Sequence, residues 1–320
     1  MAGLKEIRTR IASVQNTRKI TSAMKMVASS KLHHAQVMIE NMLPYEGMLE
    51  DILKSFLAAD VEARGSLTQE RQVKRVALLV FSSNSSMCGG FNSNIIKRMN
   101  QLVDEYKKDG VEVEVYPIGR KVLEKANKQG LDVKGNFNLL CDKPNSNECV
   151  KIGQELAEKY VKGEIDKVEL VYHHFKSAGS QILTVKQLYP IDIESAMDYD
   201  HSRDLKSTIA TEEAMEYMKK NHKKKEYQNK EGSKLNDNFI VEPDMNTVLD
   251  MLVPRYVNLM IYTALLDSTA SQHAARMVAM QTATDNADEL LKDLNLQYNK
   301  GRQQAITSEL LDIVGGSVNN

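Results

Sequence analysis

Apolar residues recur at a helical spacing over both ends of this chain and at a strand-like spacing between them. Stepping alternately by three and four from Leu4 meets Ile7, Ile11, Val14, Arg18, Thr21, Lys25, Ala28, Leu32, Ala35, Ile39, Met42, Glu46, Leu49, Leu53 and Phe56, most of them apolar. Such a stripe predicts one long amphipathic helix. Its charged interruptions at Arg18 and Lys25 are avoided when the stripe moves to Ile20, Met24 and Val27, the drift expected when about 3.6 residues per turn meet a repeat of about seven. From Met245 the same stepping meets Leu249, Leu252, Tyr256, Leu259, Thr263, Leu266, Ala270, His273, Met277, Met280, Thr284, Ala287, Leu291, Leu294 and Tyr298. Beyond Gly301 it re-phases to Ile306, Leu310 and Ile313. Pro254 places the start of the main helix there, with Asp244–Val253 as a separate turn or short helix, and Pro44 predicts a kink or local break in the first helix.

At about 1.5 Å per residue, a helix of about 55 residues is on the order of 80 Å long. Two such helices at opposite ends of one chain bury their narrow seams most simply against each other. Because the middle leaves from one and returns to the other, the expected pairing is a long antiparallel coiled coil.

The middle alternates strand and helix. Val73–Phe81 reads as a buried strand, Asn92–Lys108 as a helix, Val111–Pro117 as a strand and Arg120–Gln129 as a helix. Leu131–Phe137 follows as a third strand, Glu148–Val161 as a third helix and Lys167–Phe175 as a fourth strand, with Gln181–Tyr189 as its hairpin partner across Ser177-Ala178-Gly179. That order implies a doubly wound, mainly parallel α/β domain with helices on both faces. Glycine usage draws the boundaries: ten of the 16 glycines fall in residues 58–192, where α/β turns need them. The expected organisation is a helix over 1–57, an α/β domain over 58–194, a charged excursion over 195–243 and a helix over 244–320. The excursion carries ten acidic and nine basic side chains over 195–242, including Lys219, Lys220, Lys223, Lys224 and Lys225, with a helical stretch around Thr211–Lys225. Its lysines read as a solvated face.

Bulk properties then exclude several classes. The longest apolar run, Val76–Phe81, is six residues, against the roughly 20 that a spanning helix needs. A net charge of -1 argues against a dedicated nucleic-acid binder. Three cysteines, Cys88, Cys141 and Cys149, lack zinc-type pairing and favour a reducing compartment. The opening MAGLKEIRTR shows neither a signal-peptide core nor a transit segment, so the expected location is the cytoplasm.

Candidate chemistry is sparse. Ser82–Asn92 lies between the first strand and the first central helix, where open α/β sheets bind phosphates, yet it carries no GxGxxG and no Lys-Ser/Thr pair. A glycine turn with a helix cap is the better reading, and Cys88 has no base nearby in sequence to make it a nucleophile. Neither His33-His34 nor His173-His174 has metal-ligand spacing. Strand alternation sets His173 and His174 on opposite faces, and solvated side chains are expected for both His pairs. The expected catalytic, cofactor-binding and metal-ligating residues are therefore none.

Charge and polarity along the helices say more. Residues 1–40 carry seven Lys or Arg against two Glu, and residues 244–313 carry nine acids against five bases, so the two helices attract. An alternative is that Arg8, Arg10, Arg18, Lys19 and Lys25 meet acidic loops of a partner. Polar residues cluster at Arg302, Gln303, Gln304, Thr307 and Glu309 in YNKGRQQAITSELLDIVGGS, where the apolar stripe is narrow. A helix polar over most of its circumference is either frayed or sheathed by another protein.

Three segments now carry a specific resemblance: IRTRIASVQNTRKITSAMKMVASSKL (Ile7–Leu32), AARMVAMQTATDNA (Ala274–Ala287) and YNKGRQQAITSELLDIV (Tyr298–Val314). With CGGFN (Cys88–Asn92), and with the element order of the whole chain, they resemble the γ subunits of bacterial F-type ATP synthases. The chain departs from that pattern at Asn84-Ser85-Ser86-Met87, where the family usually has Asp-Arg-Gly-Leu, at Ser317 in place of Ala, and in its longer charged excursion.

The resemblance implies a rotor shaft that is not itself an enzyme. It would couple ion-driven rotation of a membrane c-ring to ATP synthesis or hydrolysis on a ring of three α and three β subunits, with ε as a further partner and no cofactor of its own. By residue, it implies that Met24 faces the lower lever of the β subunits, near Arg276, and that Arg302, Gln303, Thr307 and Glu309 touch the β catch loop. It implies a peripheral position in the F1 sector on the cytoplasmic face of the bacterial inner membrane, with no nucleic-acid partner and no membrane span. The alternatives are a stand-alone nucleotide-binding α/β enzyme dimerised through its helices, and a passive coiled-coil scaffold.

Overall fold

The computed structural model describes residues 3–58, 71–191 and 245–317, together with the single positions Arg203, Leu205 and Glu242. The helix expected around Thr211–Lys225, and the lysines within it, lie outside the described residues. In chain order the elements are α1 (Leu4–Ala58), β1 (Arg75–Phe81), α2 (Phe91–Lys108), β2 (Glu112–Ile118), α3 (Arg120–Lys128), β3 (Asp132–Val133), α4 (Asn138–Asp142), α5 (Ser146–Val161), β4 (Lys167–Ser177), β5 (Ser180–Tyr189) and α6 (Met245–Ser317).

The second terminal helix is longer than its proline predicts, and the first shows no break at its own. α6 starts at Met245 rather than Pro254, and α1 runs through Pro44 without interruption. A proline removes one helical hydrogen bond, and packing on either side offsets that loss. Leu49, Tyr256 and Leu259 form a buried cluster with Met42, Leu53, Leu252 and Met260 packed on it, so both prolines are flanked by anchored turns.

By compactness the chain divides into residues 1–28 with 276–320, and residues 29–275. The second unit holds a five-stranded sheet in the order β3-β2-β1-β4-β5. β1 pairs in parallel with β2 and β4, β2 pairs in parallel with β3, and β5 is antiparallel to β4. Alternation along β1 sends Val76, Leu78 and Val80 to a core with Ile95 and Met99 of α2 and Val122 and Ala126 of α3. Ala77, Leu79 and Phe81 go to the other face, against Ile152 and Leu156 of α5 and Val257, Ile261 and Leu265 of α6. This is the doubly wound arrangement, with α6 sharing the second layer.

β3 (Asp132–Val133) is much shorter than the strand expected over Leu131–Phe137. After Val133 the Lys134 amide still donates to the Val115 carbonyl, at 2.9 Å, but Gly135 turns at φ 72 and the short helix α4 begins. The unforeseen α4 buries Leu140 and Cys141.

The first unit pairs the start of α1 with the end of α6. Arg18 meets Asp288 and Thr21 meets Thr284, and a Cβ at Gly301 would touch Leu4, so the two helices run antiparallel. The α6 stripe follows the sequence reading, with Met277, Met280, Ala287, Leu291 and Leu294 all buried. The α1 stripe does not move as expected. Thr21 and Ala28 are buried, while Ile20 and Val27 are 61% and 57% exposed. The polar positions stay in or beside the seam because α6 supplies matching polar partners there, and the apolar ones face outward.

Candidate functional site

Each residue that carries the functional expectation lies in the unit of residues 1–28 and 276–320. Met24 is half-buried on α1, between Ile20 and Val27, which lie seven positions apart and so share a helix face beside the seam. Arg276 is half-buried on α6. The Thr21–Thr284 register sets Met24 opposite the turn that contains Gln281, so Arg276 lies more than one helical turn away along α6. Arg302, Gln303, Thr307 and Glu309 are all exposed, and the Thr307 hydroxyl donates back to the Gln303 carbonyl at 2.9 Å. Since Leu4, the first residue of α1, lies beside Gly301, α6 extends past its partner helix from Arg302 to Ser317. Ile306, Leu310, Leu311 and Ile313 in that stretch are 48–69% exposed.

Two features escaped sequence reasoning. The outward stripe of Ile20, Met24 and Val27 had been assigned to the seam; the polar pair Thr284 and Asp288 on α6, opposite Thr21 and Arg18, was the signal that the seam stays polar there. The other is a buried ionic cluster around Asp267, whose signal was one carboxylate in the apolar stretch YTALLDSTA.

The loop after β1 is occupied with itself. The Asn92 side chain accepts from the Ser83 amide at 3.1 Å and donates to the Ser83 hydroxyl at 2.8 Å, the Cys88 sulfur at 3.1 Å and the Ser85 carbonyl at 3.3 Å. Asn84 bridges to the Asn138 carbonyl at 2.7 Å and to Asp142 at 2.8 Å. Cys88 is buried with these groups, and its contacts with the Ser83 hydroxyl, the Ser85 carbonyl and the Asn92 amide supply no base. Burial pushes the Cys141 and Cys149 thiols up to about 12, which leaves them unreactive.

The histidines of β4 are buried, not solvated. His173 stacks on Phe91 at 4.4 Å between ring centres, and burial lowers its pKa to about 4. His174, on the other face, sets Nδ1 2.7 Å from Asp267 of α6. Strand alternation was read correctly, but both faces of this sheet are covered. Among the described residues no group of His, Cys, Asp and Glu could hold a metal ion, and no helix is long and apolar enough to cross a membrane.

A family model described as ATP synthase matches residues 3–318. The ATP synthase gamma chain of Phocaeicola vulgatus is 49% identical over 99% of this chain and 100% of its own length. The gamma chain of Bacteroides thetaiotaomicron is 47% identical over 99% and 100%, and that of Flavobacterium johnsoniae 39% identical over 99% and 98%. Among solved structures, a chain of the Euglena gracilis mitochondrial ATP synthase (OSCP/F1/c-ring, rotational state 3) superposes with a TM-score of 0.59 at 17% identity, covering 98% of this chain and 93% of that one. A chain of the Tetrahymena thermophila mitochondrial ATP synthase central stalk and c-ring gives 0.53 at 22% identity, covering 82% and 99%. At these identities the superpositions speak for the fold, and the curated relatives speak for the family. On both counts, this chain belongs to the ATP synthase gamma chain family.

Proposed function

We propose that this chain is the central rotor shaft of an F-type ATP synthase, turning inside a ring of three α and three β subunits and standing on a c-ring with an ε subunit. The observation that carries the reading is the helix pair of residues 1–28 and 276–320. It keeps Ile20 and Val27 exposed on α1 with Met24 half-buried between them, and α6 continues past α1 as an exposed helix that mixes Arg302, Gln303, Thr307 and Glu309 with Ile306, Leu310, Leu311 and Ile313. A surface of that kind suits partners that surround it and slide. Met24, Arg276, Arg302, Gln303, Thr307 and Glu309 are the proposed contacts with the ring.

The proposal includes that the chain makes and breaks no bonds. In support, the loop where a doubly wound sheet would hold phosphate directs its side chains at one another. Placement in the F1 sector at the cytoplasmic face of a bacterial inner membrane is part of the same proposal, supported by the bacterial relatives.

Co-purification from the source cell tests it. The expected result is a complex in which α and β chains are each in threefold excess over this one. Recovery of a free dimer that binds ATP stoichiometrically would instead favour an independent α/β enzyme.

A further inference from the structure

We propose that Asp267, Glu46 and His174 form a guanidinium-binding site at the junction of α1, β4 and α6, and that its ligand in the folded chain is Arg203. Arg203 sits in the charged stretch that sequence reasoning left to solvent, yet its side chain is 1% exposed. Its Nε and one terminal nitrogen donate to the two oxygens of Asp267, at 3.2 and 3.1 Å. Asp267 is 0% exposed and also takes His174 Nδ1 at 2.7 Å. Glu46, 14% exposed on α1, closes the far side of the guanidinium at 3.6 Å.

Three elements distant in sequence thus each contribute a wall, and two of the walls are carboxylates. A planar fork sets two parallel donors against the two Asp267 oxygens, whereas an ammonium delivers its charge from a single nitrogen. Removing the guanidinium takes two donors from a carboxyl group that is 0% exposed, which costs far more than losing an exposed pair. Arg203 therefore ties its own position in the chain to α1, β4 and α6 through one guanidinium. It is a positioning residue with no part in bond chemistry.

Chemical rescue in the purified full-length chain tests this. Arg203→Ala is expected to lower the melting temperature by roughly 5 °C or more. Millimolar methylguanidinium is expected to restore much of that loss, saturably, in Arg203→Ala but not in Arg203→Ala/Asp267→Asn. Methylamine at the same concentration serves as the control and is expected to restore little. Arg203→Lys, which keeps the charge and loses the fork, is expected to melt between wild type and Arg203→Ala, and it carries the test if the alanine variant does not fold. Wild-type melting in Arg203→Lys, or rescue that is equal with methylamine or in the double variant, overturns the assignment.

Discussion

Thr21 and Thr284 bring their hydroxyl oxygens to 2.9 Å across the helix pair, one turn from the Arg18–Asp288 ion pair at 2.6 Å. Each hydroxyl also reaches a carbonyl of its own helix, Arg18 at 3.0 Å and Met280 at 2.8 Å. Two hydrogens serve three contacts, so losing one hydroxyl removes at most one bond. We expect Thr21→Val and Thr284→Val each to cost less than about 1 kcal/mol, with the double variant no worse than the sum. Arg18→Ala is expected to cost a similar amount that fades with salt, because both partners are over 40% exposed. Urea unfolding of the four proteins measures this. A loss above about 2 kcal/mol at any single site would show a far tighter layer than the partial exposure implies.

Met24→Lys tests the outward stripe. If Met24 touches the ring as proposed, a cation there meets partner charges and adds an attachment that must be broken on every turn. The expected outcome is a complex that assembles normally but pumps fewer protons per ATP hydrolysed, by a factor of about two or more, while Met24→Leu behaves as wild type. An unchanged pumping ratio in inverted vesicles would remove Met24 from the proposed contacts.

Among the described glycines, Gly119 is the one whose Cβ position is blocked by backbone. Its φ is 114, and a Cβ there would lie 2.3 Å from the Ser82 carbonyl oxygen at the end of β1. Gly119→Ala should cost more than about 3 kcal/mol, since backbone rather than a movable side chain is in the way. Gly47 in α1 is the control: nothing lies within 4 Å of its Cβ position, and Gly47→Ala should stabilise by about 0.5–1 kcal/mol. Equal and small effects at both sites would contradict the geometry.

His173 should make stability depend on pH. Burial lowers its pKa from 6.5 to about 4, so between those values the unfolded chain takes up a proton that the folded chain refuses. Its contribution is complete above pH 6.5 and is lost as pH falls toward 4, amounting to roughly 3 kcal/mol across that window. His173→Phe keeps a ring against Phe91 and removes the titration. Its stability should therefore fall less than that of wild type between pH 7 and pH 4.5; parallel curves would mean that His173 is not held neutral.

Much of this fold was legible because its patterns are long. A stripe of seven α6 positions from Met277 to Tyr298 outweighs any local exception, and β1 announces itself as a buried run between polar residues. What was not legible depended on a second surface. Ile20 and Thr21 compete for the seam, and the winner is set by Thr284 and Asp288, over two hundred and sixty positions away. His173 and His174 look like ordinary polar residues until α2 and α6 cover the two faces of β4. Pro254 looks like a start signal until Tyr256 and Leu252 are seen packed around Leu49. Arg302, Gln303, Thr307 and Glu309 fall between these cases, because a terminal motif singles them out while their exposure follows from α6 continuing beyond Leu4.

The outward face of the helix pair also governs how the polypeptide behaves when made alone. Ile20, Val27, Met26, Leu296, Leu310 and Leu311 each remain more than half exposed, and apolar surface without a cover favours self-association. Heterologous expression of this subunit without neighbours should lower its soluble yield and favour self-association at high concentration, and co-expression should raise that yield. Exposed side chains of this kind thus make the subunit depend on its neighbours for solubility.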